Sequence, residues 1–166
     1  MADAETLHCL VEVPKGSRNK YEWDERLQAI KLERFLFSSV HYPTDYGFIK
    51  GTLSEKGSEL DAMVFVGEPT FPGCVIEVRA IAILRMADDR GHDDKIICVP
   101  YEDPHWSWLE DLDDIPSQLR TEVEHFFSIY KQPEGIDVDV QGFAGCEDAR
   151  AVIEDARERF SSRDRT

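Results

Sequence analysis

Residues 62–86 read AMVFVGEPTFPGCVIEVRAIAILRM, and this stretch sets the architecture of the chain. Ala62–Val66 is a compact apolar run, which is typical of a buried strand. Residues 67–73 contain two prolines and two glycines, and this composition predicts a loop. Residues 74–86 then alternate between side-chain types, which predicts a long strand. The segment is therefore expected to form two strands of a sheet.

Further short strands are predicted on both sides of this segment, separated by turn residues such as Pro14 and Gly16. The other predicted strands are Leu7–Val13, Lys20–Asp24, Ala29–Phe37, Lys95–Val99 and Val138–Gly142. Short strands with frequent turn signals are typical of a small barrel. We therefore expect the first two-thirds of the chain to form one barrel.

The last third of the chain is predicted to be mostly helical. After Pro116, apolar residues recur at helical spacing, at Leu119, Val123, Phe126, Phe127 and Tyr130. Residues 146–160 have the pattern of a second amphipathic helix. The expected fold class is α+β, with residues 1–166 forming a single domain in which two C-terminal helices flank the barrel.

Composition limits the classes of partner. The 166 residues contain 34 Asp and Glu against 19 Lys and Arg, which gives a formal net charge of −15. This charge opposes nucleic-acid binding. No apolar run approaches the roughly 20 residues of a membrane span. Met1–Thr6 lacks the pattern of a secretory signal, and the four cysteines form no CxxC pair, so we expect a cytoplasmic protein without nucleic-acid or membrane partners.

Cations in and beside the apolar elements suggest a phosphate site. Lys20, Arg34, Lys95 and Lys131 lie there, and carboxylates are close to them in sequence. Lysine, arginine and tyrosine donate well to phosphate oxygens, and loop aspartates suit Mg²⁺. Each feature also has a structural explanation: strand-end lysines are often solvated, residues 88–94 can form an acidic hairpin turn, and Tyr130 can belong to a helical core.

The order of short motifs is more specific. Along the chain follow EVP (12–14), KYE (20–22), ERF (33–35), YPTDYGFI (42–49), MAD (86–88), DDK (93–95), VP (99–100) and HFFSIYK (125–131). From about Leu10 to about Ile153, this series resembles the family I soluble inorganic pyrophosphatases. The resemblance implies a five-stranded, OB-like closed β-barrel, pyrophosphate or phosphate as ligand, and a homo-oligomer, by analogy a hexamer.

The resemblance also implies roles for individual residues. The substrate-binding positions are Lys20, Arg34, Tyr46, Lys95, Tyr130 and Lys131. The metal-binding positions are Glu12, Asp61, Asp88 and Asp93, for Mg²⁺ or alternatively Mn²⁺. Glu22 and Tyr42 are expected to support catalysis. The implied reaction is Mg²⁺-dependent hydrolysis of pyrophosphate to two phosphates.

One segment departs from the family pattern. The signature Asp-Gly-Asp-Pro-x-Asp is replaced here by Lys56-Gly57-Ser58-Glu59-Leu60-Asp61. In the family the first aspartate binds a metal and the second orients the attacking water. An ammonium ~4 Å from Mg²⁺ costs about 8 kcal/mol at an effective dielectric constant of about 20. Reduced or altered activity is therefore expected.

Three arrangements are open at this point. Lys56 can turn outward while Glu59 or Glu55 supplies the missing carboxylate, and Asp45, where the family usually has asparagine, can restore some negative charge. Lys56 can instead replace the charge of a metal. The chain can also be a catalytically silent relative that binds phosphate, a nucleotide or a protein partner. A further alternative is an acidic structural protein. In such a protein the lysine, arginine and tyrosine donors would pair only with the chain's own carboxylates.

Overall fold

The computed structural model describes residues 6–163. The strands are β1 (Leu7–Val13), β2 (Asn19–Asp24), β3 (Ala29–Phe35), β4 (Asp45–Ile49), β5 (Leu60–Val64), β6 (Val75–Asp88), β7 (Gly91–His92), β8 (Lys95–Pro100) and β9 (Asp139–Gly145). The helices are α1 (Ser117–Ile129) and α2 (Cys146–Arg163), with short 3₁₀ turns at Leu112–Asp114 and Gln132–Glu134. The structure is thus mostly sheet with two helices, as the α+β class predicts.

Seven strands form one sheet in the order β1-β4-β5-β8-β6-β7, with β9 also paired to β6. The first strand pairs with both β4 and β6, so the ladder of hydrogen bonds returns to its starting strand. The β5–β8 pair is parallel and the other pairs are antiparallel. Strands β2 and β3 form a separate hairpin. The expected count of five strands is therefore too low for the described residues.

Strand β4 is not among the predicted strands, because Asp45 and Gly47 interrupt its apolar residues, although all five of its residues are buried. Its central residue, Gly47, lies against β1. A β-carbon at Gly47 would come within 1.9 Å of the Leu10 carbonyl oxygen. Glycine at this position therefore allows β1 and β4 to approach each other.

The long strand β6 extends beyond the predicted end at Met86, because β7 folds back on it in a hairpin that pairs Asp88 with Gly91. This hairpin places Asp88 and Asp93 near one end of the sheet. The acidic stretch 88–94 is thus a turn, as its aspartates and glycine predict.

Two apolar clusters attach the helices to the sheet. One contains Val123, Phe126 and Phe127 of α1, and the other contains Ala149 and Ile153 of α2. The predicted helices therefore do flank the sheet. No helix within residues 6–163 has the length and apolarity that a membrane crossing requires. All four cysteines are free thiols.

Candidate active site

An open cleft of about 250 Å³ lies where the β2–β3 hairpin, the ends of several strands and the segment after α1 meet. All the residues predicted for the site except Arg34 line it: Glu12, Lys20, Glu22, Tyr42, Tyr46, Glu59, Asp61, Asp88, Asp93, Lys95, Tyr130 and Lys131. These residues come from distant parts of the sequence, so the fold is what brings them together.

Lys95 is the most deeply buried cation of the cleft, with a side chain 2% exposed. Its Nζ lies 2.7 Å from Oδ2 of Asp61 and 3.0 Å from Oδ2 of Asp93. The ring centre of Tyr46 is 5.4 Å away. Burial opposes the charge of Lys95, but the two carboxylates outweigh it and raise the pKa of the ammonium above its usual range. Lys95 therefore remains a fixed positive charge.

Asp88 lies between two further lysines. Lys56 Nζ is 3.6 Å from Oδ1, and Lys131 Nζ is 3.5 Å from Oδ2. The burial of Asp88 raises its pKa, but the backbone N–H of Arg90 and the two ammonium groups more than offset this and hold the pKa below its usual value. For Asp93, burial is similarly outweighed by Lys95 and Lys56, so its pKa is also lowered. Both aspartates are ionised.

Glu12 behaves differently because it is buried and forms no ion pair with a cation of residues 6–163. Its Oε2 accepts a hydrogen bond of 2.8 Å from the backbone N–H of Trp23. Burial, together with the nearby charges of Asp61 and Glu22, raises the pKa of Glu12 to about 8. Burial and Glu33 likewise raise the pKa of Glu22. Glu12 and Glu22 therefore keep their protons up to a higher pH than Asp88 and Asp93 do.

The hydroxyl group of Tyr42 has no hydrogen-bond partner among the described residues, although the side chain is almost fully buried. The ring is held in place by Tyr46 at 5.3 Å and Phe126 at 4.7 Å between centres. An unsatisfied buried hydroxyl is costly, and such groups commonly bind water, an ion or a ligand. The hydroxyl group of Tyr42 can therefore bind a water molecule or a ligand in the cleft.

Arg34 lies beside the cleft rather than in its lining. Lys20 and Arg34 are neighbours across the β2–β3 hairpin, and both contact Glu33. The guanidinium of Arg34 also lies 2.7 Å from Glu134. Because two carboxylates hold it, Arg34 must exchange one of them before it can contact a ligand in the cleft.

Residues 56–61, which replace the family signature, border the cleft. Glu59 lines the cleft, whereas Glu55 faces α2, where its Oε1 lies 3.5 Å from Nη2 of Arg159. The expectation that Asp45 restores charge is wrong: it is fully buried, and it accepts hydrogen bonds from Lys15 N at 2.8 Å and from Thr70. Lys56 points into the cleft rather than outward. Glu59 is thus the better-placed substitute carboxylate.

Several lining residues were not predicted as site residues. They are Tyr21, Trp23, Phe48, Lys56, Ser58 and Arg90. Arg90 had a signal in the sequence, because it is the cation between the two aspartate pairs of residues 88–94. The aromatic residues had none, since strand alternation does not show which face borders a cleft.

The donor set suits a hard divalent cation. No group of three or more His, Cys, Asp or Glu side chains within residues 6–163 is arranged to hold a metal by itself. Mg²⁺, however, is commonly bound by one or two carboxylates, with water and substrate phosphates as the other ligands. Asp61 and Asp93 share one ammonium and so lie close together. The carboxylates therefore fit a metal that a phosphate group helps to hold.

The ammonium groups and tyrosine hydroxyls of the cleft are the donor types that suit phosphate groups, and its clustered carboxylates are the ligand types that suit divalent cations. The comparisons agree. The family model for inorganic pyrophosphatase matches residues 9–161, and the chain belongs to this family.

Two relatives illustrate the similarity. An inorganic pyrophosphatase of Methanosarcina mazei is 48% identical over 161 residues, covering 97% of this chain and 95% of its own length. One of Streptomyces coelicolor is 49% identical over 151 residues, 90% and 93% of the two chains. The crystal structure of inorganic pyrophosphatase from Thermus thermophilus matches with a TM-score of 0.92 and 40% identity, covering 97% and 94%.

Proposed function

We propose that this chain hydrolyses inorganic pyrophosphate to two phosphates in the cleft, with Mg²⁺ or alternatively Mn²⁺, at a rate reduced by Lys56 and Ser58. The observation that carries the proposal is the alternation of lysines and aspartates at the cleft floor, where Lys95 joins Asp61 to Asp93. Pyrophosphate is a multiply charged anion, so it needs both cationic donors and metal-binding carboxylates.

The proposed phosphate donors surround the cleft. Lys20, Lys95, Lys131, Tyr46 and Tyr130 line it and can hold phosphoryl oxygens from several directions. Arg34 joins them by releasing Glu134. Because these groups belong to different strands and to the segment after α1, they hold the substrate in one orientation and stabilise the charge that spreads in the transition state.

The proposed nucleophile is water. The carboxylates that would hold divalent ions are Asp61, Asp88 and Asp93, with Glu12 acting through water, and such an ion would supply charge stabilisation and lower the pKa of a water bound to it. Glu59 and Glu22 are the carboxyl groups placed to take the proton, and Tyr42 orients the water with its free hydroxyl group. A bond forms from the water oxygen to one phosphorus, the bridging P–O bond breaks, and the second phosphate leaves.

A second candidate function is supported by the position of Lys56. Its ammonium lies near Asp88 and Asp93, where a positive charge opposes the binding of a metal. A catalytically silent relative would keep the phosphate donors and bind phosphate, a nucleotide or a protein partner. The paired lysines also fit an acidic structural protein, which predicts no binding of phosphate or pyrophosphate.

The proposal also covers the domain organisation, the cellular location and the oligomeric state of the protein. Residues 1–166 act as one domain, in which the seven-stranded sheet closes into an OB-like barrel, supported by the return of the ladder to β1. The protein works in the cytoplasm as a homo-oligomer, by analogy a hexamer, without a nucleic-acid partner.

Phosphorus NMR of pyrophosphate with Mg²⁺ tests the proposal. The wild type should convert pyrophosphate to phosphate, and Asp61→Asn should abolish the conversion. Asp137→Asn, at an exposed position outside the cleft lining, is the matched control and should behave as wild type. Binding of pyrophosphate without conversion favours the silent relative, and absence of both binding and conversion favours the structural protein.

A further inference from the structure

We propose that the ammonium of Lys56 takes the place of a divalent cation between Asp88 and Asp93, so that the cleft binds one metal ion fewer than its carboxylates would otherwise allow. The inference rests on the proposed function, because it takes the cleft to be a site for divalent ions. The positive charge concerned is that of Lys56, a residue of this chain.

The contacts of Lys56 carry the inference. Its Nζ lies 3.6 Å from Oδ1 of Asp88 and 4.0 Å from Oδ1 of Asp93, between two carboxylates that come from the two sides of one hairpin. The other oxygen of each aspartate contacts a different lysine, Lys131 or Lys95. Lys56 is therefore the cation that joins the two aspartates.

The backbone holds Lys56 in this direction. Ser54 N donates to the carbonyl of Ser58 at 2.6 Å, and Gly57 N donates to the carbonyl of Ser54 at 3.0 Å, which closes a tight turn. Gly57 has a φ of +86°, which glycine adopts readily. The neighbouring Glu55 contacts Arg159 of α2, 3.5 Å from Nη2. Within this turn, Glu55 thus pairs with the helix, whereas Lys56 pairs with Asp88 and Asp93 in the cleft.

A charge at this place has a specific consequence. An ammonium can neutralise two facing carboxylates partly, as a metal ion would, but it cannot polarise a bound water. It also repels a cation that enters between Asp88 and Asp93. The other carboxylates that line the cleft, Asp61, Glu12, Glu22 and Glu59, are then the ones left for divalent ions.

The test counts Mn²⁺ ions bound per chain in the absence of pyrophosphate, by calorimetry and by electron paramagnetic resonance. Lys56→Met removes the charge without adding a ligand and should gain an additional Mn²⁺ ion relative to wild type. The double variant Lys56→Met/Asp88→Asn should lose that ion again. Lys50→Met, the same change at an exposed position outside the cleft lining, is the control for charge alone and should bind as wild type.

Equal Mn²⁺ stoichiometry and affinity in wild type and Lys56→Met would overturn the inference, as would an equal gain in Lys50→Met. If Lys56→Met does not fold, Lys56→Gln is measured in its place with the same expectation. Phosphate release is followed on the same samples. If phosphate is released but Lys56→Met binds no more Mn²⁺ than wild type, the inference is refuted and the proposed function is not. If Lys56→Met gains an Mn²⁺ ion but no variant releases phosphate, the proposed function is refuted and the inference is not.

Discussion

Nζ of Lys95 and Oδ2 of Asp61 lie 2.7 Å apart, one at the first residue of β8 and the other on its parallel neighbour β5. The register explains the contact, because β5 and β8 pair from Ala62 with Ile96 onward, and the two charged residues precede that pair. A parallel pairing in the sheet thus places a buried cation beside a carboxylate at the cleft floor.

Removing this cation should affect stability as well as activity. Lys95→Met leaves Asp61 and Asp93 facing each other without an ammonium between them. Loss of one member of a fully buried ion pair costs about 3–5 kcal/mol, and we expect roughly 2–3 kcal/mol here because both carboxylates are partly exposed. Urea unfolding in metal-free buffer measures the change.

The control removes the repulsion as well. Lys95→Met/Asp61→Asn/Asp93→Asn should recover part of the lost stability, although it should remain without phosphate release. A triple variant no more stable than Lys95→Met would show that packing of the lysine stem, rather than charge, is what the single change removes.

Tyr42→Phe should separate stability from function. The variant removes a buried hydroxyl group that has no partner within residues 6–163, so the free energy of unfolding of the ligand-free protein should rise by about 1 kcal/mol. Phosphate release should fall about tenfold, because the group that orients the water is lost. Tyr101→Phe, outside the cleft, should change neither quantity much. A less stable but fully active Tyr42→Phe protein would contradict this role.

The pKa of Glu12, raised to about 8, predicts a dependence of stability on pH. Between about 4.5 and about 8 the carboxyl group is protonated in the folded protein and ionised in the unfolded chain. Folding therefore takes up a proton, and stability from this group decreases as the pH rises through this window. In chelator, the free energy of unfolding of wild type minus that of Glu12→Gln should fall accordingly. A flat difference would contradict the raised pKa.

The close approach of β1 and β4 gives a test of the fold. Gly47→Ala places a methyl group on the Leu10 carbonyl, and overpacking of this kind should cost about 3 kcal/mol. Gly67→Ala is the matched control, because nothing lies within 4 Å of a β-carbon there and its φ is not in the left-handed region. Thermal unfolding compares the two variants. Equal melting temperatures would mean that the strands can separate at little cost.

Local patterns predicted much of the fold. An apolar run ended by turn residues located β1 at its observed bounds, alternation located most of β6, and helical spacing located α1 and α2. These patterns missed β4, because Asp45 and Gly47 leave it neither a continuous apolar run nor an alternating one. The number of strands in the sheet could not be read from the chain, because pairing partners such as β1 and β6 are distant in sequence and are chosen by packing.

The residues of the site could be predicted from the order of short sequence motifs, but the contacts between their side chains could not. The motifs named the residues that line the cleft, but they could not show that Glu134 holds Arg34, that Glu55 faces α2, or that Asp45 is fully buried against Thr70. These contacts depend on side-chain directions set by tertiary packing. The orientation of Lys56 toward Asp88 is of the same kind.

Phosphate release from pyrophosphate with Mg²⁺, for wild type beside Lys56→Asp/Ser58→Asp, tests the central claim most directly. The claim is that the cleft is a pyrophosphate-hydrolysing site slowed by these two residues. The account predicts measurable release by wild type and release at least about tenfold faster by the double variant, since carboxylates return for the metal and the water. Absence of release from both proteins, while both remain folded and bind pyrophosphate, would contradict it.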